Sequence, residues 1–153
     1  MSQSVSVHFK HRFPLFPLPE TMLLPHAMMP LSIFEPRYIQ LTDHALDSSG
    51  QIAIATIHKS AQKSKNTVPL RDAVCLAQIV QHEKASHGYN ILVYGLCRAE
   101  IQEEFLATEA QLYRSAKLNP LEEEQDDVGE EYRNQLEQLL RRPNLQKLEY
   151  DSF

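Results

Sequence analysis

The chain is short of glycine and cysteine and has no tryptophan. Its four glycines are Gly50, Gly88, Gly95 and Gly129, and none precedes a lysine. The Gly-x-x-x-x-Gly-Lys-Ser/Thr loop that cradles phosphate on backbone N–H groups is therefore missing, which excludes P-loop ATP hydrolysis. Two cysteines, Cys75 and Cys97, are too few for a disulfide scaffold, and neither has a partner at metal spacing. They allow one disulfide between neighbouring strands or, as expected of a cytoplasmic protein, two reduced thiols. No apolar run approaches the ~18 residues of a membrane span, and residues 1–10 lack the apolar centre of a signal peptide. A formal net charge of -5 opposes general binding to nucleic acid, which needs a basic face. What remains is a 153-residue chain of ordinary hydrophobic content, long enough for one domain with a buried core.

Proline, by contrast, is concentrated. Six prolines fall within the 26 residues from Phe13 to Tyr38, in a stretch that is otherwise mostly apolar. Proline fixes φ and removes a backbone donor, so this stretch is neither a regular helix nor a central strand. Its apolar side chains still need burial. The pattern predicts extended pieces over Phe13 to Leu18 and Met28 to Ile33, joined by a corner at Pro25-His26. Glu35-Pro36-Arg37-Tyr38 then opens a helix, with Pro36 in the first turn where a missing N–H costs nothing.

Residues 1–12 read as a flexible lead-in in which Val5, Val7 and Phe9 add an edge strand. The helix runs from Glu35 to Leu46, with Tyr38, Leu41 (or Thr42), Ala45 and Leu46 at helical spacing and Ser48-Ser49-Gly50 as its stop. Gln51 to Ile57 is a short apolar strand. His58 to Asp72 is polar, aperiodic and loop-like. Strands follow over Val74 to His82, Tyr89 to Tyr94, Cys97 to Glu104 and Ala110 to Leu118. A hairpin turn spans Glu83 to Gly88, and Gly95 supplies a turn or bulge. Such consecutive strands argue for an antiparallel meander or small barrel. Leu121 to Glu131 is an acidic break. Val128, Tyr132, Leu136, Leu139 and Leu140 then share one face of a C-terminal helix that Pro143 ends.

The order Pro14 to Leu18, Leu23-Leu24-Pro25 and Pro30 to Tyr38 resembles the opening of the amino-terminal domain of Lon-type ATP-dependent proteases, which also occurs in small stand-alone proteins. The resemblance extends more weakly to about residue 120. It departs at His26, where stand-alone members often carry glycine. It implies a PUA-like pseudobarrel: a β-rich α+β fold of mostly antiparallel strands, with one helix after the second strand and a C-terminal helix. It divides the chain into a lead-in (1–12), a Lon amino-terminal-like β domain (13–120), and an acidic linker with a helix that begins a longer helical part (121–153). The chain then reads as a trimmed or shortened member without ATPase and peptidase domains. In the resembling proteases this domain helps bind protein substrates and supports oligomer assembly.

Residues that carry chemistry are few. His82-Glu83-Lys84-Ala85-Ser86-His87 misses the zinc motif His-Glu-x-x-His by one residue, which sets the two histidines about 140° apart on a helix. No metal, cofactor or catalytic residue is expected, and the chain is not expected to be an enzyme. Arg37 and Tyr38 stand either at a groove edge, contacting a peptide backbone or carboxylate, or in an ion pair with Glu35 and in sheet packing. Met22, Met28 and Met29 read as an adaptable binding surface or as core filler, and Phe34 is expected to line the groove with them and the proline-rich corner. The expected function is a non-catalytic module that binds unfolded or specific protein partners in a shallow groove, aided by an open strand edge. The stripe of Tyr132, Leu136, Leu139 and Leu140 makes a homodimer if nothing else covers it. The alternatives are an RNA-binding PUA-like module, kept open by Lys59, Lys63, Lys65 and Arg71, and an uncharacterised hydrolase with a site at the barrel mouth.

Overall fold

The structure, a computed structural model, describes residues 5–58 and 68–121. The expected C-terminal helix with its apolar stripe, the acidic run and most of the lysine-rich stretch lie outside the described residues.

The elements are strand β1 (Phe13–Leu18), strand β2 (Met28–Ile33), helix α1 (Pro36–Leu46), and strands β3 (Gln51–Ile57), β4 (Leu70–Ala85), β5 (Gly88–Phe105) and β6 (Ser115–Pro120). They form one mixed sheet in the order β2-β5-β4-β3-β1-β6. A further pairing of β5 with β6 closes five of the strands into a barrel. All pairings are antiparallel except β1 with β3. This is the β-rich α+β fold expected, with its helix after the second strand. Strand β2 pairs with the Gly88 to Tyr94 arm of β5 and with no other described strand, so Pro30 lies at a sheet edge where its missing donor is tolerated.

Long strands bend here by inserting single residues. Leu76 faces Cys97 while Ala77 faces Gly95, which leaves Leu96 as the extra residue of a bulge. A second shift, between Ile79 and Gln81, leaves Val80 extra on the opposite strand. Gly95 therefore sits inside one continuous strand rather than between two. It is glycine because the corner residue Leu24 presses on it: a Cβ there would lie 2.4 Å from the Leu24 carbonyl oxygen. The β4–β5 turn is tighter than expected, since Ala85 pairs with Gly88 and only Ser86 and His87 remain outside the ladder. His82 faces Ile91 within that ladder while His87 is in the turn.

The two faces of the sheet make two cores. Phe13, Leu15, Ala53, Leu76, Ala99 and Leu118 fill the barrel. Phe16, Ile33, Leu41, Ile52, Ile54, Ile91 and Val93 join α1 to the outer face. Burying each Leu or Ile contributes about 1.5–3 kcal/mol, so Leu41 and its neighbour Ala45 anchor α1. Cys75 belongs to the helix-side core and Cys97 packs against the barrel core, so the structure forms no disulfide between them. The edge strand expected over Val5 to Phe9 is not formed. Instead Val7 and Phe9 pack on the barrel core, and the Ser6 carbonyl accepts a 3.0 Å hydrogen bond from the Gln51 side chain. Local burial outweighs strand pairing in this segment. Among the described residues no helix is long and apolar enough to cross a membrane.

Candidate functional site

Helix α1 begins where the backbone leaves β2. Glu35 is its N-cap by conformation, and its carbonyl accepts from the N–H groups of Tyr38 and Ile39, each at 2.9 Å. The Glu35 side chain makes no cap bond. It turns to Arg37 instead, whose Nε and Nη2 donate to Glu35 Oε2 at 3.0 and 2.8 Å. Arg37 also lies over the Tyr38 ring, 4.8 Å from its centroid. Tyr38 points inward and packs its ring on Phe16 of β1.

The loop between β5 and β6 faces this helix start. Gln40 clamps it. Its amide nitrogen donates to the Ala110 carbonyl at 3.1 Å, and its amide oxygen accepts from the Leu112 N–H at 2.7 Å. One turn on, His44 Nδ1 meets the Tyr113 hydroxyl at 2.7 Å. Arg37, Gln40 and His44 recur at three- and four-residue spacing, so one helical stripe meets the loop. The loop's far end is held to β1, where Leu15 N–H donates to the Arg114 carbonyl at 2.8 Å.

Between helix, loop and β1 lies a cleft of about 410 Å³, lined by Leu15, Pro17, Arg37, Tyr38, Leu106, Ala107, Leu112, Tyr113 and Arg114. That volume suits a few peptide residues or a small ligand. Leu106 (60% exposed) and Leu112 (40%) present apolar surface on the loop side. Arg114 is largely buried, forms an ion pair with Glu104, and donates from Nη1 to the Val68 carbonyl at 2.7 Å. Its Nε is buried with no hydrogen-bond partner among the described residues. Burial raises the Tyr38 pKa from its ordinary value of 10.0, with Glu35 adding to the rise while Arg37 and Arg114 oppose it. Burial alone raises that of Tyr113. Both phenols therefore keep their protons at neutral pH. The cleft offers hydrogen-bond donors, positive charge and apolar walls. Among the described residues no three His, Cys, Asp or Glu side chains converge as metal ligands.

The structure brings together only part of what the sequence pointed to. Arg37 and Tyr38 line the cleft; Arg37 is ion-paired with Glu35 yet exposed, and Tyr38 packs on Phe16. Met28 is exposed at the corner end of β2, and Met29 is partly buried against the helix-side core. Phe34, 67% exposed, lies beyond the other end of β2. Six residues of strand separate Met28 from Phe34 by about 20 Å, so they do not share one groove. The positions of Tyr132, Leu136, Leu139 and Leu140 lie outside the described residues. Gln40, Leu106, Leu112, Tyr113 and Arg114 went unnoticed. The signal available for Tyr113-Arg114 was weak: an aromatic next to a cation at the edge of an alternating run.

The described residues form a small closed β-barrel with one helix and a cleft beside it. The chain belongs to the family of the ATP-dependent protease La (LON) substrate-binding domain, whose model matches residues 12–150. Among solved structures, it is similar to the Lon N-terminal domain protein from Xanthomonas campestris, with TM-score 0.61 and 19% identity over 76% of this chain and 63% of that one. It is also similar to the N-terminal domain of the Mycobacterium avium complex Lon protease, with TM-score 0.56 and 21% identity over 76% of this chain and 57% of that one. The chain thus spans under two thirds of either structure. At these identities the likeness is one of fold. A comparison with curated proteins gave no match.

Proposed function

We propose that this chain is a non-catalytic recognition module that takes exposed segments of other proteins into the cleft between α1 and the β5–β6 loop. The observation that carries this is the cleft itself. Apolar walls and donor side chains face it from three separate elements, and Gln40 and His44 hold the loop in place. Membership of a substrate-binding domain family supports the same reading. Arg37 and Tyr38 are its polar contacts. Met28, Met29 and Phe34 are further contacts arrayed along β2, whose outer edge is bonded to no other described strand and suits an added peptide strand. The recognition unit spans residues 13–120 and works in the cytoplasm. The stripe of Tyr132, Leu136, Leu139 and Leu140 in the 121–153 segment pairs two copies of the chain.

The direct test is fluorescence anisotropy of a labelled, permanently unfolded protein titrated with this chain, with a folded protein as competitor. Saturable binding that the folded competitor leaves intact supports the reading. Absence of binding up to the high-micromolar range overturns it. For the pairing, Leu136→Asp with Leu139→Asp is expected to turn a dimer into a monomer by light scattering, and a wild-type chain that is already monomeric removes the idea.

A further inference from the structure

We infer that the cleft selects an acidic side chain, Asp or Glu, flanked by aliphatic residues in an extended segment of the captured protein. This deepens the recognition reading and rests on it. The first support is charge. The chain carries a net charge of -5, yet the described cleft lining holds Arg37 and Arg114 and no carboxylate. Glu35 and Glu104 pair with these arginines without lining the cleft themselves. The lining thus presents guanidinium groups with their balancing carboxylates outside it, which fits an occupant that accepts hydrogen bonds.

The second support is the inventory of hydrogen-bonding groups. Arg37 uses Nε and Nη2 on Glu35, which fixes the guanidinium plane and leaves Nη1 for a ligand. The Tyr38 hydroxyl, still protonated, is a second donor in the same lining. Guanidinium groups cannot accept a hydrogen bond, so the matching ligand group is a pure acceptor, and a carboxylate is the one a protein chain supplies with charge. Arg114, whose Nη1 and Nη2 are engaged by Val68 and Glu104 and whose Nε has no hydrogen-bond partner among the described residues, belongs to the same lining. The third support is shape. Leu106 and Leu112 are exposed beside these cations, so apolar side chains next to the acid have surface to cover.

An internal acid fits better than a chain terminus. Terminal carboxylates are captured by nests of unengaged backbone N–H groups. Here the loop N–H groups of Gln111 and Leu112 are already bonded, to Thr108 Oγ1 and Gln40 Oε1.

The test uses three fluorescein-labelled, N-acetylated peptides titrated with the full chain and followed by anisotropy. One is Gly-Ser-Leu-Asp-Leu-Ser-Gly with an amidated end. The second replaces Asp by Asn, and the third is the Asn peptide with a free terminal carboxylate. The Asp peptide is expected to bind about tenfold tighter than its amidated Asn twin, the scale of a charge-assisted hydrogen bond. Arg37→Gln, at a side chain exposed enough to leave folding intact, is expected to erase that difference. Binding of the free-end Asn peptide alone overturns the inference in favour of terminus capture. If the unfolded protein binds while the Asp and Asn peptides behave alike, the acid preference fails and the recognition reading survives. If neither the peptides nor the unfolded protein bind, both fail.

Discussion

The rings of Phe16 on β1 and Tyr38 on α1 meet with centroids 4.5 Å apart and planes inclined at 50°. The contact joins the helix-side core to the cleft: Tyr38 packs against that core and also belongs to the lining. Two substitutions separate these roles. Tyr38→Ala removes half-buried ring packing and is expected to destabilise the chain by about 2 kcal/mol, below the ~3–5 kcal/mol of a fully buried aromatic. Tyr38→Phe keeps the ring and is expected to leave the urea midpoint nearly unchanged while weakening capture of an unfolded protein. Equal stability losses for the two variants contradict this division.

Gln40 contributes to the cleft by position rather than by contact. Its side chain bridges Ala110 and Leu112 across 70 and 72 residues of sequence. Gln40→Ala breaks two partly exposed hydrogen bonds, so the expected stability loss is small, about 1 kcal/mol. The loop should loosen, seen as faster amide exchange at Leu112, and affinity for an unfolded protein should fall severalfold. Unchanged exchange at Leu112 removes Gln40 from this role.

The corner at Pro25-His26 makes a backbone argument testable. His26 holds a positive φ of 71° and donates its N–H to the Gly95 carbonyl at 2.8 Å, while Gly95 N–H donates to Ala27 at 2.9 Å. Gly95→Ala forces a methyl group against the Leu24 carbonyl and is expected to cost about 2–3 kcal/mol by urea denaturation. His26→Gly relieves left-handed strain of about 1 kcal/mol but gives up the 3.4 Å contact between its ring and the Tyr94 hydroxyl. The expected net change is therefore within ~0.5 kcal/mol of zero. A Gly95→Ala chain as stable as the parent refutes the close approach.

Alkaline pH should erode stability through particular tyrosines. Tyr38 and Tyr113 are raised above 10.0 chiefly by burial, and Tyr89 chiefly by its hydrogen bond to Asp43. A phenol with a raised native pKa holds its proton more firmly in the folded than in the unfolded chain. Its contribution is complete below the unfolded value of about 10 and is lost as pH rises through the native value. Urea midpoints are thus expected to hold near pH 8 and to fall above pH ~10, with a shallower fall in Tyr113→Phe. An identical slope in that variant contradicts the burial of Tyr113.

How much was legible in the sequence follows from where the signals are local. Prolines confine backbone geometry residue by residue, so β1 and β2 were bounded correctly at Phe13–Leu18 and Met28–Ile33, and Pro36 marked the start of α1. Gly95 was expected at a turn or a bulge and stands beside the Leu96 bulge, but glycine within a strand looks the same whether the chain turns or another backbone presses close. Only the packing of Leu24 decides between them. The run from Ala110 suggested a strand, but residues 110–114 stay in the loop, held by Gln40 and by Thr108 with Gln111, and β6 starts at Ser115. The cleft was half visible for the same reason. Arg37 and Tyr38 sit in a recognisable helix start, whereas Leu106 to Arg114 reach them only through tertiary contacts.

The measurement that decides where recognition occurs is a two-dimensional amide NMR titration of the isotope-labelled chain with a permanently unfolded protein. Shift changes are expected to centre on Arg37, Tyr38, Leu106, Ala107, Leu112 and Tyr113. Changes confined to Met22, Leu24 and Met28, or none in the cleft at saturation, would contradict the assignment of binding to this site.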